Sequence, residues 1–166
     1  MTQKETQANK ELLFKDLCAR LPYGVIGKCE IDASYDTSFE TKLQTHRFNA
    51  EVYGIPEEGL LFVTPLIEDQ DLQELANEEV TNGIDILDFK PYLFPLSSMT
   101  YTQKREYYKL QDEGPAYHYI YGEIVNDTAL YDNWASIDYL NANHFDFRGL
   151  IEKGLAIDAT ELNIYK

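Results

Sequence analysis

Leu13, Leu17 and Leu21 recur at i, i+4 and i+8, and Phe14 and Cys18 widen the stripe, which predicts an amphipathic helix over Ala8–Leu21. Pro22 cannot continue the helical ladder, so LPYG reads as a stop and a turn. Val25–Ile31 is a short β-prone run, and Lys42–Tyr53 alternates well enough for a half-exposed strand. Between them, DASYDTSFE (Asp32–Glu40) has the composition of a loop. GIPEEG (Gly54–Gly59) is expected to turn, and the apolar run Leu60–Leu66 to form a buried strand. Asp69–Asn77 suits a short acidic helix with Leu72, Leu75 and Ala76 inward. Asn82-Gly83 tolerates the positive φ of a tight hairpin turn, which predicts a strand over Ile84–Phe89 that ends near Pro91.

Two prolines make KPYLFPLSSMT extended, and Ser97, Ser98 or Thr100 can cap a helix over Thr102–Gln111 that stops at Gly114-Pro115. In AYHYIYGEIV, Tyr117, Tyr119 and Tyr121 alternate with His118 and Ile120, which favours a strand over 116–125 and leaves a helix open. A last main helix is expected from Asp127 or Thr128, with Leu130, Trp134, Ile137 and Leu140 or Asn141 on its apolar face. HFDFRGLIEKGLAI suits a helix terminus and a further helical turn, stopped by Gly154. One helix, a run of strands and then helices predict an α+β fold. The expected form is a small antiparallel sheet or curled barrel flanked by an N-terminal helix and C-terminal helices. A chain of 166 residues fits one domain, with 1–7 as a disordered tail, 22–99 mainly strands and 100–166 mainly helical.

Charge narrows the function classes. The 29 acidic and 14 basic residues give a formal charge of −15. Phe48–Phe89 holds eleven carboxylates and no Lys or Arg, and Leu110–Phe147 holds seven more with no base. Such a chain is unsuited to direct nucleic-acid binding, which needs clustered Lys and Arg, and to an anionic membrane surface. No apolar segment approaches a membrane span or a signal peptide, which points to the cytoplasm. Cys18 and Cys29, without CxxC spacing, read as two buried small hydrophobes in a reduced compartment.

His144, Asp146, Arg148 and Glu152 form the densest mixed polar group. They suit either a His–carboxylate pair with an arginine for an anionic substrate or a helix end tied by an Asp–Arg pair. In the ligand-binding reading the site is His144, Asp146 and Arg148 with Tyr117, Tyr119 and Tyr121. The acidic face of Glu68, Asp69, Asp71, Glu74, Glu78 and Glu79 is the candidate interaction surface. A calcium loop from Asp69 would need Gly and Glu where Glu74 and Val80 stand, so that motif fails. His46 and His118 are isolated, and HExxH, GxSxG and glycine-rich phosphate loops are absent, so neither cofactor nor metal is expected.

Three segments, LCARLPYGV (Leu17–Val25), DFKPYLFPLSSMT (Asp88–Thr100) and NHFDFRGLIEKGLAI (Asn143–Ile157), resemble as a set a family of small uncharacterised proteins from Bacteroides-type gut bacteria and their phages or mobile elements. The resemblance implies a cytoplasmic bacterial or phage setting and carries over no catalytic residue. The combined expectation is a non-catalytic acidic interaction or accessory protein with a basic protein partner, a nucleic-acid mimic being its sharpest form. The alternative is a small enzyme or ligand-binding domain around His144, Asp146 and Arg148.

Overall fold

A computed structural model of the chain describes residues 2–36, 41–68, 70–111 and 134–165, without the side chains of 32–36, 41–44, 71, 72, 75 and 79. Helix α1 (Gln3–Arg20) starts earlier than the apolar stripe predicts, because Thr2 and Glu5 form a capping box. The Thr2 hydroxyl accepts from the Glu5 N–H at 3.3 Å, and the Glu5 carboxylate accepts from the Thr2 N–H at 2.7 Å. Gln7 bonds Glu58 at 3.1 Å and Lys10 pairs with Asp85, which ties this first half of the helix to the sheet. The face α1 buries is Leu13, Asp16, Leu17 and Arg20, so two charged residues share the stripe with the leucines. Cys18, expected inside, is exposed; Cys29 is buried.

After a 3-10 turn at Leu21–Tyr23, β1 (Val25–Asp36) and β2 (Thr41–Glu57) form a long antiparallel hairpin, in register from Val25↔Val52 to Asp36↔Thr41. Much of the expected polar loop is therefore strand: pairing satisfies each backbone group across the hairpin and overrides side-chain polarity. β2 also runs through the expected GIPEEG turn. Register shifts at Gly54 bend it, and the chain reverses only near Gly59, at φ 93°.

β3 (Leu60–Leu66) pairs with β2, and α2 (Gln70–Val80) follows. Asn82-Gly83 joins α2 to β4 (Ile84–Asp85), not two hairpin strands; the Gly83 N–H donates to Val80 O at 2.9 Å and closes the helix. The strand expected over Ile84–Phe89 is interrupted because the Asp85 carboxylate accepts from Leu87 N–H at 2.9 Å and stabilises a 3-10 turn over Ile86–Asp88. β5 (Phe89–Pro95) then pairs antiparallel to β1. α3 (Tyr101–Gln111) begins at a second capping box, formed by Thr100 and Gln103.

α4 (Trp134–Ala142) buries Ser136, Leu140 and Asn141. Trp134, expected on the apolar face, is 88% exposed at the described start of the helix, one turn short of the residues that pack. Residues 116–125 and the expected start of the last helix at 127 or 128 lie outside the described residues. The expected helical turn near the C-terminus is instead β6 (Phe145–Asp146), a series of turns over 149–154, and β7 (Ile157–Asp158). Gly149 and Gly154, both at φ 70°, break the helical path there.

The architecture is α+β, with a curled mixed sheet of order β4-β3-β2-β1-β5-β6 and β7 also on β5. β6 and β7 are parallel to β5, so the sheet is not purely antiparallel. The main core lies between α1 and the inner sheet face, around Leu13, Leu17, Val25, Leu61, Phe89 and Leu93. A second cluster joins Met99, Tyr107, Leu140, Phe145 and Phe147 where α3, α4 and β6 meet.

Candidate functional site

The polar centre of the molecule begins on α1. Asp16 and Arg20, one helical turn apart, are both fully buried. Arg20 Nε donates to Asp16 Oδ2 at 2.7 Å and Arg20 Nη2 to Asp16 Oδ1 at 3.0 Å. The same guanidinium donates to Phe145 O at 2.7 Å and Leu140 O at 3.4 Å, which fastens α4 and β6 to α1. Arg148 Nη1 donates to Asp16 Oδ1 at 2.9 Å, so one carboxylate holds two arginines. The Phe147 ring packs under both guanidinium groups, at 4.3 Å from Arg148 and 5.5 Å from Arg20. Every donor and acceptor described here is turned toward the protein itself.

Asp146 is held differently. Its two carboxylate oxygens accept from the N–H groups of Leu150 and Ile151 at 2.9 and 2.8 Å and cap the turn that follows. The structure therefore does not join His144, Asp146 and Arg148 into one group: Asp146 holds a turn and Arg148 holds Asp16.

His144 faces a separate environment. It has φ 55°, the only positive value on a non-glycine residue among those described. Its ring lies parallel to Tyr165, with centroids 3.7 Å apart and planes 9° apart. The Tyr165 hydroxyl bonds the carbonyl oxygens of Ile26 and Tyr92 at 3.0 Å each and accepts from Ile26 N–H at 3.3 Å. Burial pushes the Tyr165 phenol up to about 12. Burial, and then the Arg20 guanidinium, push the His144 imidazole down to about 4, so it is neutral near pH 7. His144 Nδ1 is buried without a hydrogen-bond partner. His144 is among the residues that line a cleft of ≈ 720 Å³ between the end of α4, the C-terminal segment and β1.

Other predicted site residues are scattered. Tyr117, Tyr119, Tyr121 and Asp69 lie outside the described residues. Glu68 is exposed just before α2, and Glu74 and Glu78 are exposed on it; Asp71 and Glu79 also belong to that helix. A grouping the sequence did not reveal is Lys28 with Lys90, direct cross-strand partners on β1 and β5. They border a second cleft beside Arg47, whose guanidinium donates to Glu30 at 2.7 and 3.0 Å. Asp16, Arg20 and Tyr165 were also missed, although Asp16 and Arg20 sit three and seven positions after Leu13 on the apolar stripe.

Among the described residues no group of three or more His, Cys, Asp or Glu is arranged to hold a metal ion. No described helix is long and apolar enough to cross a membrane. Comparison with models of known protein families, with curated proteins and with solved structures finds no match.

Proposed function

We propose that this protein is a non-catalytic acidic interaction protein whose helix α2 docks a basic protein partner. The observation that carries the reading is a ridge of negative charge kept where it weakens its own helix. Glu74 and Glu78 are exposed one turn apart on α2, a like-charge pair that costs roughly 0.2–0.5 kcal/mol. The last turn of α2 has no basic residue, so Glu78 also stands unfavourably toward the negative end of the helix dipole. A helix selected only for stability would place Lys or Arg there. Buried Ala76 and Val80 fix the opposite face against the core, which orients the glutamates outward.

Asp146 holds the turn at Leu150 and Ile151 and Arg148 pairs with Asp16, internal contacts that support a structural role for both and so a non-catalytic reading. A bacterial or phage setting, as the sequence resemblance implies, supports the sharpest form of this activity, an array of carboxylates that imitates nucleic-acid phosphates.

The test is calorimetric titration with a lysine-rich peptide at low and high salt. Binding at low salt that fades at high salt is expected, because exposed charges are screened. The double variant Glu74→Gln/Glu78→Gln should lose most of that binding while melting at the same or a higher temperature. Absence of binding at low salt, or undiminished binding by the double variant, overturns the reading.

A further inference from the structure

We propose that the free edge of β1 over Glu30–Asp36 takes up an extended segment of a partner protein as an added antiparallel strand, one whose alternate residues are basic. The edge belongs to β1 and not to α2, so the proposal does not rest on the α2 surface.

The ladder on this side of β1 stops short. β5 pairs with β1 only over Gly27–Cys29, whereas β2 pairs with it without a register shift as far as Asp36. The chain before Phe89 is drawn away into the 3-10 turn over Ile86–Asp88, which the Asp85 carboxylate holds. Among the described residues no strand pairs with Glu30–Asp36 on the β5 side. Room remains beside the edge: Glu30, Ile31, Leu87 and Asp88 are among the residues that line a cleft of ≈ 840 Å³.

The direction of the backbone groups follows from Ile26. Its N–H and carbonyl meet the Tyr165 hydroxyl at 3.3 and 3.0 Å, and the same hydroxyl bonds the carbonyl of Tyr92 on β5. Ile26 therefore points both groups away from β2. Strand alternation directs the N–H and C=O of Lys28, Glu30, Asp32, Ser34 and Asp36 to that same side. Lys28 faces Lys90 there, and the four residues beyond it meet no described strand. An unpaired row of backbone groups is a template for another strand.

Charge selects the strand. Sheet edges are commonly guarded by Pro, Lys or a bulge, and Glu30–Asp36 contains none of these. It carries Glu30, Asp32 and Asp36 instead, all in one phase of the alternation. Two copies of this edge paired antiparallel about Ala33 would set Glu30 against Asp36, and like charges directly opposite are unfavourable. Glu30 already bonds Arg47, so Asp32 and Asp36 do the selecting, and Lys or Arg opposite them is favourable by the same rule. The other phase holds Ile31, Ala33 and Tyr35, and Ile31 packs against the main core. The intervening residues of the guest strand are therefore apolar, and the occupant is a protein segment that alternates basic and apolar residues.

The experiment titrates the full chain with an acetylated octapeptide of alternating lysine and valine. The controls are the same residues in block order, and the alternating peptide N-methylated at its lysine amides, which face β1 when lysine lies opposite Asp32. Affinity is read from the backbone amide resonances of Glu30–Asp36, which report this edge and not α2, and pairing from their hydrogen exchange. The alternating peptide should bind saturably, slow exchange at Asp32 and Ser34 by about tenfold or more, and bind about tenfold more tightly than either control. Ser34→Pro removes an outward N–H without touching the ladder to β2, and should weaken binding by about tenfold. Asp32→Asn/Asp36→Asn should also weaken it and keeps the test intact if the proline variant fails to fold. Glu74→Gln/Glu78→Gln should leave both readouts unchanged, which separates this edge from α2. Failure of the alternating peptide to bind, equal affinity of either control, unchanged exchange at Asp32 and Ser34, or undiminished binding by Asp32→Asn/Asp36→Asn overturns the proposal. A dimer of the chain by itself that Ser34→Pro dissociates would give the edge to a second copy and overturn it equally.

Discussion

Arg148 and Asp16 lie 132 positions apart in the chain, and their side chains meet at 2.9 Å to close the molecule's buried ionic centre. Asp16 is fully buried and already bonded to Arg20, so the carboxylate is the hub between α1 and the C-terminal segment. Removing one partner of a buried pair leaves the other charged and desolvated. Asp16→Ala should therefore cost about 3–5 kcal/mol of stability. Arg148→Ala should cost only about 1–2 kcal/mol, because its side chain is 23% exposed and Arg20 still neutralises Asp16. Urea unfolding of the two variants compares them directly; equal losses would mean that Asp16 is not the hub.

His144 links stability to pH with a definite sign. Its folded value of about 4 lies below the ordinary 6.5, chiefly through burial. Between those values the unfolded chain binds a proton that the folded protein refuses. Stability associated with the neutral ring is complete above pH 6.5, declines as pH falls, and levels off below about 4. The expected span is roughly 3 kcal/mol. Unfolding measured across this window should show the slope in the native protein and a flatter profile in His144→Asn. Parallel profiles would remove His144 as its source.

Gly27 allows β1 and β5 to approach. A Cβ at this position would come within 2.5 Å of the Lys90 carbonyl oxygen and collide with the Phe89 ring, and the backbone atom cannot rotate away. Gly27→Ala should lower stability by about 1–3 kcal/mol or more through overpacking. A melting temperature at or above that of the native protein would contradict this packing.

The two thiols should separate by reactivity. Burial, with the Asp88 carboxylate nearby, pushes the Cys29 thiol up to about 12, whereas Cys18 is exposed and raised only by partial burial. Reaction with a thiolate-specific reagent should modify Cys18 in the native protein and both cysteines after unfolding, since the thiolate is the reactive form. Fast modification of Cys29 in the folded state would show that β1 opens readily.

Local pattern by itself determined much of the frame. Leucine spacing marked α1, the apolar run Leu60–Leu66 marked β3, Ser97, Ser98 and Thr100 together marked the approach to α3, and their order implied an α+β fold. Those signals are legible because periodicity and capping act within a few residues. Charge segregation was equally plain, and of the acidic face it suggested, Glu74 and Glu78 stand exposed one turn apart on α2. Tertiary structure alone decided the rest. It turned Asp16 and Arg20 inward, separated His144 from Asp146 and Arg148, stacked His144 on Tyr165, and set β6 and β7 parallel to β5. Each outcome depends on which distant surfaces meet, and a charged residue on an apolar stripe is stable only if a remote partner neutralises it. The sequence carries Asp16, Arg20 and Arg148 as separate ions; the fold joins them into one group around the buried Asp16 carboxylate.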